Sequence, residues 1–233
     1  MRKSGLTAGM ARACRQSPWR RQHQDSTKRN TSSTKRISRA CCIWILQLQD
    51  ATEMYGRAIR QAESRWYGNA ILGYMPCNLR GPEWVYPAKH NCYGDYGKPI
   101  LKYFRKYLRE KYQDDLNALQ EAWQNPTVTF DTAEIPSLQR RQGQNEHFLN
   151  DDCQDILDYN RALQRGNTDA IMAFMDTIQQ NAPGKLRWLY YGYLMTLNHL
   201  YGASSYTGHY DVMRLLESGK VDVMASPVRS GRL

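Results

Sequence analysis

The sequence predicts an α/β fold: about three parallel strands separated by helices, part of a larger α/β barrel and preceded by a disordered basic tail. Three observations carry this expectation. Apolar runs of strand length recur at residues 71–75, 186–194 and 221–227. Segments whose apolar residues recur at helical spacing lie between them. The charge is confined to one end: of 233 residues with a formal net charge of +10, residues 1–40 hold eleven Lys and Arg against one acid, Asp25, which leaves 21 basic and 21 acidic residues over 41–233.

The chain therefore divides into a tail, 1–40, and a body, 41–233. The tail is rich in Ser, Thr, Gln and Arg and nearly devoid of aliphatic residues, a composition that cannot bury enough apolar surface to fold. It lacks the apolar stretch of a secretory signal, and no run in the chain reaches the ~18 apolar residues needed to span a bilayer. No membrane partner is expected, and the cytoplasm is the default location. A nucleic-acid partner is expected only through the tail, because a folded nucleic-acid domain carries its own basic face and this body is neutral. The six cysteines are scattered without a CxxC spacing, as in thiols of a reducing compartment.

Taken in order, residues 51–66 carry Met54, Ala58, Ile59 and Ala62 near helical spacing, an amphipathic surface helix that Gly68 is expected to cap in a left-handed conformation. The first strand follows, and ends in the Gly- and Pro-punctuated turn that presents Glu83 and Trp84. Pro99 suits the first turn of a helix, whose stripe is Ile100, Tyr103, Phe104, Tyr107 and Leu108. A second, short helix after Asp114 aligns Leu116, Leu119 and Trp123 and stops at Asn125-Pro126. Residues 127–148 read as an exposed, irregular excursion. A long helix is expected over 151–180, ended by Ala182-Pro183-Gly184. Strand two, a loop, a short helix HYDVMRLLES and strand three close the sequence. Strands separated by helices pair in parallel. Three strands cannot close a barrel, and an open sheet leaves two bare edges, so the sequence reads as the middle of a larger barrel.

The run ILGY followed by a turn and Glu83-Trp84 resembles the central region of clan A glycoside hydrolases, in particular family 42-type β-galactosidase-like proteins. So does the segment 96–123, through Phe104, Arg105, Leu108, Tyr112, Leu116, Asn117 and Trp123. YYGYL, HYDVMRLLES and VDVMASP are similar to the next two barrel strands and their connection. The resemblance covers about residues 51–227. It implies a partial (β/α)8 TIM barrel and hydrolysis of O-glycosidic bonds in a carbohydrate substrate. Glu83, just after strand four, takes the place of the general acid/base. The family nucleophile follows strand seven, which falls beyond Leu233 if these strands are four, five and six. Arg80 and Pro82 stand where the family carries small and acidic residues.

Glycoside hydrolysis needs two carboxyl groups, about 5–5.5 Å apart for retention and about 6.5–9.5 Å for inversion. A proton donor is helped by burial against an aromatic ring, which Trp84 supplies. Tyr193, near the end of strand two, is the best candidate to line a sugar cleft, with Trp84 beside Glu83. Asn198 and His209 are candidates to hydrogen-bond sugar hydroxyls, while His209 can equally cap the helix that follows it. Asp95 reads as a free loop acid, and Asp222 belongs to the barrel interior or to a salt bridge. No phosphate loop, metal-ligand cluster or Ser/His/Asp order stands out, so neither metal nor cofactor is expected. The alternatives are a non-catalytic carbohydrate- or nucleic-acid-binding module, and an inactive truncated fragment.

Overall fold

A computed structural model describes residues 48–77, 84–86, 95–143, 153–192 and 208–226. These residues form a mixed α/β structure with a small sheet. The elements are α1 (Leu48–Glu63), a 3-10 turn (Gly68–Ala70), β1 (Gly73–Tyr74), α2 (Lys98–Tyr112), α3 (Leu116–Ala122), α4 (Leu138–Gly143), α5 (Gln154–Asn181), β2 (Leu186–Tyr190), α6 (Val212–Glu217) and β3 (Val223–Ala225). The strands pair in parallel in the order β1-β2-β3, with Gly73 opposite Leu186 and Trp188 opposite Val223. Parallel pairing of helix-separated strands is what the sequence predicts. Among the described residues no helix is long and apolar enough to cross a membrane.

Side chains alternate across a strand, so this register sorts the sheet into two faces. Tyr74, Leu189 and Met224 turn toward α5, where they meet Ile171, Phe174, Met175 and Ile178. Burial of Ile171 or Ile178 contributes about 1.5–3 kcal/mol each. The other face carries Leu186, Trp188 and Tyr190; Leu186 and Trp188 are 45% and 41% exposed. α1 lies against the far half of α5, with Tyr55 edge-on to Phe174 at 5.4 Å. At the amino end of the sheet, Lys185 Nζ donates to the carbonyls of Gly68 (3.0 Å) and Ile71 (2.7 Å), joining the turn before β2 to the segment that leads into β1.

A second core gathers Ile100, Phe104 and Leu108 of α2, Leu119 of α3, and Tyr159, Ala162 and Leu163 of α5. Its polar hub is Asp158, fully buried. One carboxylate oxygen accepts from Tyr112 Oη (2.7 Å) and Trp123 Nε1 (2.9 Å); the other accepts from Gln154 Nε2 (2.8 Å) and from Lys111 Nζ. Burial, and then its bond to Asp158, pushes the Tyr112 hydroxyl well above the usual tyrosine range. Asp115 starts α3 by accepting from the Asn117 and Ala118 N–H groups, an N-cap.

Several expectations are corrected. Residues 127–141 are not an exposed excursion: Val128, Phe130 and Ala133 are buried in the second core, and Arg141 is fully buried. These apolar residues have neither helical nor alternating spacing, so pattern alone gives no sign of their burial. The remainder of that segment, 144–148, lies outside the described residues. Gly68 opens the 3-10 turn and is not among the residues with left-handed backbone. β2 ends at Tyr190, because Gly192 turns the chain with φ +83. Asp222 precedes β3 and forms a salt bridge, with Arg187 Nε at 2.9 Å and Nη2 at 2.8 Å.

Two predictions follow from these contacts. Asp158→Ala leaves the Lys111 ammonium and three neutral donors without their acceptor. It is expected to lower the unfolding free energy by about 3–5 kcal/mol in urea melts. Asp222 is held down to about 2, against an ordinary value of 3.8, chiefly by hydrogen bonding from Arg187. Its folded value lies below its unfolded one, so the stabilisation is complete above about pH 4 and is lost as pH falls toward 2. With screening by solvent it is worth on the order of 1 kcal/mol, and Asp222→Asn should remove this part of the stability–pH profile.

Candidate functional site

The carboxyl ends of parallel strands share one side of a sheet, and loops there are the usual location of ligand sites in α/β proteins. Here that side is floored by one polar stripe of α5. Asn160, Gln164, Asn167 and Thr168 are spaced i, i+4, i+7 and i+8, one helix face, and all four are buried. Three of them hold the chain as it leaves the sheet. Asn167 Nδ2 donates to the carbonyls of Trp84 (2.8 Å) and Gly208 (3.0 Å). Gln164 Oε1 accepts from the Tyr210 N–H at 2.9 Å. Thr168 Oγ1 lies 3.3 Å from the Tyr191 hydroxyl, which itself donates to the Gly208 carbonyl at 2.7 Å. Asn and Thr are weak helix formers; in this helix interior their side chains serve backbone groups of two separate loops.

Trp84 is the described residue nearest the predicted acid, and it is strained. Its φ is +51, a left-handed conformation that a bulky side chain rarely adopts and that costs on the order of 1 kcal/mol or more. The indole Nε1–H donates to the Pro76 carbonyl at 2.9 Å, the ring packs edge-on to Phe174 at 5.6 Å, and Asn167 holds the carbonyl. With 1% of its surface exposed, Trp84 offers no face to a sugar. The expectation that it lines a cleft is corrected: it is a scaffold residue that fixes the backbone following position 83.

His209 is also corrected. It neither faces solvent nor caps α6, whose N-cap position is Asp211. The imidazole is fully buried and stacks on Tyr191 at 4.3 Å with an interplanar angle of 14°. Its Nδ1 accepts the Gly192 N–H at 3.1 Å, which assigns the neutral Nε2–H tautomer. Burial raises the Tyr191 hydroxyl well above its ordinary range. Between these loops sits Gly208, at φ +91, where an added Cβ would lie 2.7 Å from Asn167 Nδ2. Only glycine fits there.

Glu83, Tyr193 and Asn198 lie outside the described residues, so of the five predicted site residues the structure describes two, and Asn167 links their segments through Trp84 and Gly208. The acids near the sheet have structural duties. Asp95 is no free loop acid: it is buried, and its Oδ1 accepts the Gly97 N–H at 2.9 Å. Asp169 accepts from Tyr103 Oη (2.6 Å) and Arg214 Nη2 (2.5 Å), and Asp176 from Lys220. Among the described residues no group of three or more His, Cys, Asp or Glu could hold a metal ion. The polar stripe escapes sequence reading because its members fall inside a long amphipathic helix, although three amides at i, i+4 and i+7 are a legible signal.

No family model, characterised protein or solved structure matches the chain. Asn167→Ala removes the donor to two loop carbonyls, and the expected loss of unfolding free energy is about 2–4 kcal/mol. The amides of residues 84–86 and 208–210 should exchange faster with deuterium than in the unaltered protein.

Proposed function

We propose that this chain is the central part of a clan A glycoside hydrolase of β-galactosidase-like type, contributing strands four to six of a (β/α)8 barrel, with Glu83 as general acid/base. The observation that carries the reading is the strained, clamped Trp84 that directly follows Glu83. Backbone strain held by surrounding contacts is characteristic of sites where side-chain placement matters, and this one is tied to the carboxyl side of a parallel sheet. An apolar second sheet face, bearing Trp188 and Tyr190 opposite the face packed on α5, also suits a barrel strand, which is covered on both sides.

In this reading the Glu83 carboxyl protonates the leaving glycosidic oxygen and, as carboxylate, later takes a proton from water. Tyr193 and Asn198 remain the proposed sugar contacts. The second carboxylate is assigned to none of Asp95, Asp158, Asp169, Asp176 and Asp222, which are all engaged in structural contacts. That observation favours one second reading, a carbohydrate-binding unit without turnover.

Residues 1–233 alone are expected to bind galactose weakly and to release no nitrophenol from an aryl β-galactoside. A carboxylate at the position of the scissile bond prefers a cation. Calorimetry at pH 7 should therefore show a protonated galactose-configured iminosugar binding at least about tenfold tighter than galactose, a difference of about 1.4 kcal/mol. Glu83→Gln should abolish that preference. An equal preference in both proteins would remove Glu83 from the site.

A further inference from the structure

Two backbone segments meet at the carboxyl side of the sheet: 191–192, which follows β2, and 208–210, which precedes α6. Directional contacts hold them in place. Tyr191 Oη donates to the Gly208 carbonyl at 2.7 Å, and Asn167 Nδ2 donates to the same carbonyl at 3.0 Å. Gln164 Oε1 accepts the Tyr210 N–H at 2.9 Å, and His209 Nδ1 accepts the Gly192 N–H at 3.1 Å. Amides and tyrosine hydroxyls keep their protonation state between pH 5 and 8, whereas an imidazole ordinarily titrates near about 6.5. Of these bonds, the one through His209 is therefore sensitive to mild acid.

Nδ1 is an acceptor only while it carries no proton. A proton added there sets an N–H against the Gly192 N–H, two donors face to face, and the bond is lost. The ring is fully buried and stacked on Tyr191 at 4.3 Å, which holds it in this orientation. Burial also opposes the charged form. The charged and titratable groups on the elements packed around it are Asp169 and Arg165 of α5, Asp211 before α6, Arg214 within α6, Tyr191 itself, and Tyr86, whose ring borders Gly208. Arg214 pairs with Asp169 at 2.5 Å and with Asp211 at 3.4 Å, and Arg165 pairs with Glu110 at 3.0 Å, so both carboxylates already have a cation. An opened segment takes up the proton that the closed one refuses. By linkage, the closed form keeps its full stability above about pH 6.5 and loses it as the pH falls below that value.

We propose that His209 is an acid-operated latch: its neutral imidazole joins segment 191–192 to segment 208–210, and its protonation opens that join without unfolding the rest of the chain. The second core does not depend on the latch, because Phe104, Leu108, Leu119 and the bonds to Asp158 hold α2 and α3 to α5. What opens is the backbone at the carboxyl side of the sheet. The latch goes beyond the function proposed above and does not rest on any role of Glu83.

The test is amide hydrogen exchange of the full 233-residue chain between pH 7 and 5, each rate divided by the intrinsic rate at that pH. The opening constant at Gly192 should rise at least about tenfold across this range, following protonation of a group whose ordinary value is about 6.5. The amides of Leu108 and Leu119, in the second core, should keep their protection. His209→Asn keeps an acceptor oxygen near the place of Nδ1 and cannot take up a proton, so its Gly192 opening should stay within about twofold. A flat profile in the unaltered protein, an equal rise in His209→Asn, or loss of protection at Leu108 and Leu119 in step with Gly192 overturns the latch. A second measurement needs no variant. The imidazole proton signals of His209 should titrate with the midpoint at which Gly192 loses protection, and signals that do not move while Gly192 opens overturn it equally.

Discussion

The packing of one long helix against everything else governs this structure. α5 has 28 residues and is about 42 Å long, whereas the strand it covers best, β2, has five residues and spans about 17 Å. A helix that much longer than its sheet must find a second surface to cover its apolar face. It does so in two blocks: Ile171, Phe174 and Ile178 pack on the strands, and Tyr159, Ala162 and Leu163 pack on α2 and α3. The two cores therefore share a wall. Asp158 sits in the half that leaves the sheet, where it ties α2, α3 and α5 through Lys111, Tyr112 and Trp123, so the position of the overhang is fixed by directional bonds as well as by apolar contact.

That overhang explains why polar residues collect between the cores. Where α5 passes the strand ends it meets loops, whose backbone groups lack ladder partners and must be satisfied by something when buried. Asn167, Thr168 and Gln164 provide this for Trp84, Gly208, Tyr191 and Tyr210. The same contacts hold Trp84 in a backbone conformation it would not adopt alone. At Trp84, Gly208 and Tyr210 the backbone is thus held by side chains of the helix.

Much of the fold is legible in the sequence because local signals and packing agree. Pro99 near the start of α2 and the stripe of Ile100, Phe104 and Leu108 point to a helix that the structure contains, as Leu116 and Leu119 do for α3. Legibility fails where burial comes from tertiary contact alone. Val128, Phe130 and Ala133 have no periodicity, and they are inside because α2 and α3 leave a hollow for them. His209 and Trp84 look like site residues, since a His and a Trp beside strand ends can do chemistry. Nothing in the sequence tells that the ring of one stacks on Tyr191 and that the indole of the other is directed to Pro76. Asp222 shows the converse: a carboxylate near a strand was legible as half of a salt bridge, but its partner, Arg187, lies 35 positions away and is found only through the parallel register of β2 and β3.

The same burial narrows the chemistry. A proton donor in glycoside hydrolysis must keep one carboxyl oxygen facing the substrate. Four of the described acids are turned toward protein donors: Asp158 toward four, Asp169 toward Tyr103 and Arg214, Asp176 toward Lys220, and Asp222 toward Arg187. A carboxylate tied in this way stabilises the fold and is poorly placed to serve a ligand. Asp158 and Asp169 tie α5 to other helices, and Asp222 ties the segment before β3 to β2. Trp84, the neighbour of the proposed acid, is held on three sides by Pro76, Phe174 and Asn167.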